Sequence, residues 1–315
     1  MFKTNIGPVE DDSNIAFLRP ETAQGIYVNY LLTQNAMRLK VPFGIAQMGK
    51  SFRNEITVEH FTFRSCEFEQ MEIEYFVKPG EDEEAFQSWQ EARFQWYVDN
   101  GVRAENLRIR PHGSDELAHY AKACVDVEYE FPFGWSELEG IANRSDFDLK
   151  RHMEHSGKDL TYFDDETKER FVPHVIEPAA GADRTVLAFI CNAYTEETVT
   201  NEKGKEETRI VMKFHPRIAP YKVGVFPLLK NKPELVAKAR EVCNLLRPHM
   251  AVFYDEGGAI GRRYRRQDEA GTPWCVTVDG QTAEDGSVKE IMLRDSMSKP
   301  SGAQSVSRGS AVQAQ

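Results

Sequence analysis

The sequence has no two cysteines at CxxC spacing; its five, Cys66, Cys124, Cys191, Cys243 and Cys275, lie far apart. An odd, scattered set in a chain of 315 residues argues against a disulfide framework and against a zinc knuckle. It reads as reduced thiols. No apolar run approaches the ~20 residues that span a bilayer, and no charged-then-apolar leader opens the chain. A cytoplasmic protein without a membrane partner is the expectation. The letters GxxxxGK[ST] occur at Gly44–Ser51, but inside the strand expected over Phe43–Glu55 and not in a strand-to-helix loop that would cradle phosphates. His152 and His155 stand in HMEH, which lacks the HExxH spacing of a zinc helix. No repeat of solenoid period is present. Positive charge is also short: 39 Lys and Arg face 50 Asp and Glu, a net charge of −11. That excludes a nucleic-acid binder held by bulk positive charge, while leaving room for a local basic patch.

What is present fits two globular domains. The chain is 41% hydrophobic and 28% charged, enough for a sizeable core at ~100–200 residues per domain. Helical periodicity predicts helices over Thr22–Leu39, Glu81–Asp99, Ser114–Ala123, Asp146–His155 and Asp183–Tyr194. Alternation predicts strands over Phe43–Glu55, Phe61–Val77, Val125–Phe131, Trp135–Ala142 and His174–Pro178. Asn201–Glu207 reads as a charged surface turn. From Ile218 the pattern changes to Lys222–Phe226 (strand), Pro233–Leu246 (helix), Ala251–Tyr254 (strand), Ile260–Glu269 (helix) and Trp274–Val278 (strand). That alternation predicts a small α/β domain. Three segments follow: 1–217, with a helical insertion at about 79–124; 218–297; and a disordered tail, 298–315, rich in Ser, Gly, Ala and Gln.

The stretch Gly49–Phe76, GKSFRNEITVEHFTFRSCEFEQMEIEYF, carries chemistry. Side chains alternate faces along a strand. One face of its second half would hold Arg64, Cys66, Phe68, Gln70, Glu72 and Glu74; the other turns apolar toward Met71, Ile73 and Tyr75. Arg53 and Glu55 share a face of the first strand. One reading is a solvated face with cross-strand ion pairs of ~0.2–1 kcal/mol each. The other is a site for a base and a phosphate. An aromatic ring stacks a base, and arginine forks grip phosphate.

Arg53-Asn54-Glu55, followed by Phe63-Arg64 and Glu67-Phe68-Glu69-Gln70-Met71-Glu72, resembles motif 2 of the class II aminoacyl-tRNA synthetases. More narrowly, it resembles the homodimeric glycyl type. Leu18-Arg19-Pro20-Glu21-Thr22-Ala23-Gln24-Gly25 agrees with that family. So do Glu177-Pro178 with Gly181-Ala182-Asp183-Arg184 (resembling motif 3) and Arg262-Arg263-Tyr264-Arg265-Arg266-Gln267-Asp268. The likeness runs from about Phe2 to about Asp295.

The resemblance implies an α+β fold, an antiparallel sheet flanked by helices followed by a small α/β anticodon-binding domain. It also implies ATP-dependent attachment of glycine to tRNA(Gly) through a glycyl-adenylate. ATP and Mg2+ are then the cofactors, and tRNA(Gly), glycine and ATP the partners. Arg53 and Arg184 would be catalytic. The ATP set would be Arg53, Asn54, Glu55, Phe63, Arg64, Phe68, Glu137, Leu138, Gly181, Asp183 and Arg184, with Glu137 the magnesium carboxylate. Phe68 would stack under adenine, Glu55 accept from its amino group and Arg64 lie near the γ-phosphate. Glycine would be held by Glu21, Phe68, Gln70, Glu72, Glu177, Ala179 and Gly181. Arg262, Arg263, Arg265 and Arg266 would contact tRNA, the alternative being a helix with snorkelling arginines.

Three departures from the family pattern stand out. Motif 1, which builds the dimer interface that the family implies, is expected ahead of Met1 and is not found, so a fragment is one reading. Cys66 stands where the pattern usually has a second arginine, and Ala179 where many members have serine. The alternatives are a non-catalytic synthetase-like RNA-binding or accessory protein, an inactive fragment, and a class II enzyme for serine, threonine or proline. The retained ATP set argues for an enzyme. The three glutamates and the lack of a recognisable zinc set argue for glycine.

Overall fold

A computed structural model describes residues 1–8, 11–200, 204–285, 288–292 and 305–306. It divides into two compact units, 1–188 and 189–315. The first contains β1 (Phe2–Asn5), β2 (Ile15–Leu18), α1 (Ala23–Met37), β3 (Phe43–Phe52), β4 (Glu67–Val77), α2 (Asp82–Asp99) and β5 (Leu107–Pro111). It continues with β6 (Ala123–Phe131), β7 (Gly134–Ser145), α3 (Phe147–Ser156), β8 (Tyr162–Phe163), β9 (Arg170–Phe171), β10 (His174–Gly181) and most of α4 (Ala182–Ala193).

Six strands form one sheet in the order β3-β4-β10-β7-β6-β5, and every neighbouring pair is antiparallel. Ala23, Ile26, Tyr27 and Tyr30, three or four apart on α1, are all buried, as a helix with one core-facing stripe requires. They pack with Phe43, Phe76, Leu149, Leu160 and Val175. The rings of Tyr30 and Phe76 lie 4.6 Å apart. α2 is anchored polar-to-polar: Arg93 Nε and Tyr97 Oη donate to the buried Glu139 carboxylate at 2.6 and 2.7 Å.

The helices over Thr22–Leu39, Glu81–Asp99 and Asp146–His155 appear within two residues of their expected ends. The strand ends differ more. β3 stops at Phe52 and β4 starts at Glu67, so the intervening residues leave the sheet. His60 and Phe61 there take left-handed backbone, φ 56° and 58°, which an extended strand excludes.

No helix forms over Ser114–Ala123. Glu116 instead accepts from Gly113 N at 3.1 Å and Arg110 Nη1 at 3.0 Å, and closes a turn. The region 79–124 is accordingly helical only in its first half, at α2: β5 and the start of β6 complete the main sheet.

The second unit holds β11 (Tyr194–Thr200), β12 (Glu206–Met212), β13 (Val223–Pro227), α5 (Pro233–Leu246), β14 (Val252–Tyr254) and α6 (Ile260–Ala270). After these come β15 (Trp274–Val278), α7 (Gly280–Asp285), β16 (Val288–Met292) and β17 (Ser305–Val306). Its five-stranded sheet runs β14-β13-β15-β16-β17; the first three strands are parallel and the last two antiparallel. α5 and β15 match their expected bounds, and Val225, Leu235, Ala239, Cys243 and Val278 form the core.

The unit begins at Phe189, not 218, because the β11–β12 hairpin packs on α6. Arg265 Nη1 donates to Ile210 O at 2.9 Å. The charged turn expected over Asn201–Glu207 is only partly described, since 201–203 lie outside the described residues and Glu206–Glu207 belong to β12. The tail from Ser298 also lies outside them, apart from Ser305–Val306 paired to β16.

Gly271 ends α6 at φ +79°, and a Cβ there would run into the Phe214 ring. Gly271→Ala is therefore expected to destabilise this unit by roughly 1–3 kcal/mol. A thermal melt that matches the parent would contradict the packing described.

Candidate active site

One cavity of about 460 Å³ opens on the face of the six-stranded sheet. It collects side chains from β4, β10, β7, β6, the residues after β5 and the connector between β3 and β4. Most of the sequence-predicted residues meet there: Glu21, Arg53, Glu55, Phe63, Arg64, Phe68, Gln70, Glu72, Glu137, Glu177, Ala179, Gly181, Asp183 and Arg184. Asn54 and Leu138 do not line it. Leu138 is 1% exposed and belongs to the core.

The register explains how. β6 and β7 pair as Val127↔Glu139 and Glu128↔Glu137, so β7 holds an extra residue at Leu138. That bulge breaks the alternation of faces. Glu137 consequently points into the cavity while Glu139 points to α2, although strict alternation would put both on one side.

On β4 the polar face is the buried one. Gln70, Glu72 and Glu74 are 6%, 2% and 0% exposed. Glu72 accepts from Thr22 N at 2.8 Å, from Thr22 Oγ1, and from Gln70 Nε2 at 2.7 Å. Glu74 accepts from Tyr27 Oη at 2.6 Å, but its Oε1 has no partner. On β10, Glu177 accepts from Arg144 Nη1 at 2.7 Å. Arg144 also forks onto Asp148 at 2.7 and 2.9 Å and lies 3.9 Å from the Tyr120 ring centroid.

Asp148 and Glu177 thus bind one arginine, whose charge also reaches Glu72 and Glu74. Burial raises the Glu177 carboxyl to about 7 against the pull of Arg144, with Glu72 adding to the rise. Burial likewise raises Glu72, and raises Glu74 far above the carboxylate range. Carboxylates this buried are costly unless neutralised, and a cationic ligand at their cavity face would neutralise them. Three small residues of β10, Ala179, Ala180 and Gly181, also line the cavity.

The other end is built for a flat ring and an anion. Arg53 Nε donates to Pro20 O at 3.1 Å, and its guanidinium sits 5.3 Å from the Phe68 ring centroid. Arg184 lies 4.2 Å from the Phe63 ring centroid and donates to Glu137 O at 2.9 Å; the Glu137 carboxylate is 3.1 Å away. Phe63 packs edge-to-face on Phe131 and Phe133, and His60 stacks on Phe133 at 4.0 Å. These rings hold the connector against the β6–β7 turn. Asp183, at the cavity edge, also ties β4, accepting from Glu69 N at 2.9 Å.

Cys66 ties the connector: its carbonyl accepts from Arg53 N at 2.9 Å, and its Sγ donates weakly to Glu55 O at 3.9 Å.

The sequence reading missed Arg110, His112, Tyr120, Cys124, Asp126 and Glu128, which line the cavity, and Arg144, which braces it. For those on β5, β6 and at His112 the signal was period two: Arg108-x-Arg110-x-His112 and Cys124-x-Asp126-x-Glu128.

The four arginines of α6 part company in the second unit. Arg263 is 1% exposed and donates to Pro227 O and, at 2.8 Å, to Gly258 O. It is a core brace, which corrects its assignment as a nucleic-acid contact. Arg265 is half-buried and tied to Ile210 O; Arg266 is exposed but bound to Asp255 and Gly257 O. Arg262 is exposed.

Comparison with known proteins adds the family. Residues 222–314 match the anticodon binding domain model, past the expected end of that domain at 297. The chain is 55% identical over 302 residues to a glycine–tRNA ligase of Thermobifida fusca, covering 95% of this chain and 65% of that protein. It is 54% identical over 298 residues to one of Treponema denticola, covering 94% and 66%. A third, of Clostridium perfringens, is 54% identical over 297 residues, with 94% and 63% covered. The chain thus spans about 65% of the length of the first of these relatives. Over the part of their length that it covers, the chain belongs to the glycine–tRNA ligase family of class II aminoacyl-tRNA synthetases.

Proposed function

We propose that this chain forms glycyl-adenylate from glycine and ATP and passes the glycyl group to tRNA(Gly). The observation that carries the reading is the meeting, in one cavity, of a deep carboxylate cluster with the Arg53, Phe68 and Arg184 end. Glycine offers only an ammonium, a carboxylate and small size. An ammonium ~4 Å from a carboxylate at an effective dielectric of ~20 gains ~4 kcal/mol. The glutamates supply that attraction, and the small residues at 179–181 supply rejection by volume. With alanine at 179, discrimination rests on shape and charge.

Phe68 offers a face to adenine, Glu55 an acceptor for its amino group, and Arg64 a charge for the phosphate tail. Arg53 lies between the two ends, where its fork reaches both the glycine carboxylate and the α-phosphate. That carboxylate attacks the α-phosphorus in line, and the bond to the β-phosphate breaks to release pyrophosphate. Arg53 stabilises the charge that builds there, and no covalent enzyme intermediate is required.

Glu137 fits a magnesium ligand: its carboxylate is half exposed, faces the cavity, and has Asp126 nearby. Magnesium prefers such oxygens shared with phosphates, and when bound it neutralises phosphate charge. In the second unit, Arg262 is the α6 arginine best placed to meet RNA. As a class II synthetase, the protein is proposed to act in the cytoplasm and as a homodimer.

The test is glycine-dependent ATP–pyrophosphate exchange on the purified chain, with alanine and serine as controls. Exchange with glycine alone is expected. Exchange with another amino acid would overturn the specificity. No exchange from a folded sample that binds ATP would favour a non-catalytic RNA-binding relative or an inactive fragment. Within this reading, Phe68→Ala is expected to weaken ATP binding by ~1–3 kcal/mol, measured by calorimetry. Unchanged affinity would remove Phe68 from the base-stacking role.

A further inference from the structure

The cavity wall on β5 and β6 carries three side chains that neither substrate assignment uses. Cys124 and Asp126 are two apart on β6 and share its cavity face. His112, just past the end of β5, is locked beside them: its N donates to Cys124 O at 2.9 Å. An imidazole nitrogen of His112, Sγ of Cys124 and a carboxylate oxygen of Asp126 all lie within 4.8 Å of one another.

Nε2 of His112 is buried and lies 2.8 Å from Asp126 Oδ2, so two of the three donors already face each other.

We propose that His112, Cys124 and Asp126 bind one zinc-class divalent cation, with its fourth position open toward the cavity. Nitrogen, sulfur and oxygen donors at roughly 2.0–2.3 Å are what zinc takes, and a site with three protein ligands keeps one place free. Thiolate selects against magnesium and calcium.

The surroundings favour a cation. Arg110 Nη2 donates to Asp126 Oδ2 at 2.8 Å and can orient that carboxylate from the far side. Its charge is balanced by Glu116 and Glu128 at 3.0 and 2.9 Å. Asp126 Oδ1 and Glu137 Oε1 both face Gly140, whose missing side chain leaves that space clear.

Without a cation, burial and the carboxylates of Asp126 and Glu137 push the Cys124 thiol up to about 12, so it keeps its proton. Binding forms the sulfur–metal bond and breaks S–H. The proton goes to solvent, one per cation, with no change of oxidation state.

The experiment is a cobalt(II) titration of the whole chain after treatment with a chelator, with no substrate present. It therefore stands or falls apart from the aminoacylation reading. The expected result is one cobalt per chain, a near-ultraviolet thiolate-to-cobalt charge-transfer band, and loss of that band on adding zinc. Cys124→Ser and Cys124→Ala should abolish the band, and His112→Ala should weaken binding by at least about tenfold. Circular dichroism would show that each variant is folded. The proposal is overturned if the parent chain gives no such band. It is equally overturned if the band survives in folded Cys124→Ser, which would place it on another cysteine. Cobalt bound without thiolate character would also overturn it, by showing a carboxylate site alone.

Discussion

Arg53→Ala is expected to lower glycine-dependent ATP–pyrophosphate exchange by about 10²–10³-fold, the usual cost of removing one group aimed at charge that develops in a transition state. The fold should survive. Arg53 is exposed, and its side chain makes one described hydrogen bond, to Pro20 O. The melting temperature should therefore stay within a degree or two of the parent, since surface substitutions usually cost under ~0.5 kcal/mol. Arg53→Lys sharpens the test. Lysine keeps the charge but not the planar fork that can span a carboxylate and a phosphate. It should recover only a small part of the lost rate. Exchange that persists in Arg53→Ala would remove the arginine from the reaction and, with it, the assignment of the cavity's two ends.

Which parts of this site could be read from the sequence follows from how they are encoded. Contiguous blocks were legible: Arg53-Asn54-Glu55, Phe68 through Glu72, and Gly181 through Arg184 carry their chemistry in local order. The helices were legible because a buried stripe such as Ile26, Tyr27 and Tyr30 has a 3.6-residue period. The β5–β6 wall was not. Arg110 and His112 fell in a supposed helical insertion and Asp126 in the strand expected over Val125–Phe131, and only sheet pairing brings them to one cavity wall.

Arg144 was invisible for a similar reason. Nothing local announces that an arginine in Ala-Asn-Arg-Ser is 2% exposed and binds carboxylates four and thirty-three residues away. The bulge that separates Glu137 from Glu139 is also a tertiary fact, and it explains why Leu138, adjacent in sequence to a cavity residue, is in the core. Arg263 shows the opposite error. Four clustered arginines suggested an RNA patch, but helix geometry turns the second of them inward to cap backbone carbonyls of its own unit.

Glycine binding should depend steeply on pH, and the carboxylate cluster sets the direction. Glu177 titrates near 7 in the folded chain, above its ordinary 4.5, because burial disfavours its charge. The folded chain therefore holds that proton more tightly than the unfolded chain. The group's contribution to stability is complete below about 4.5 and is lost as pH rises through about 7. An ammonium ligand needs the opposite state, since its partner must be the anion.

Binding should then expel the proton, and the glycine dissociation constant should fall about tenfold per pH unit below 7, levelling off above it. Calorimetry in buffers of differing ionisation enthalpy should register up to one proton released per glycine near pH 6.5, and almost none near pH 8.5. Glu177→Gln fixes the neutral form. Arg144 retains Asp148 as its partner in that variant, so the chain should fold, with weaker and nearly pH-independent binding. The remaining carboxylates that face the ligand, Glu21 and Glu72, would then carry what affinity is left. Equal proton release in the parent and in Glu177→Gln would move the titration to Glu72 or Glu74, whose carboxyls burial also raises. Affinity flat across pH 5–8 in the parent would mean that no carboxylate of the cluster meets the ammonium directly.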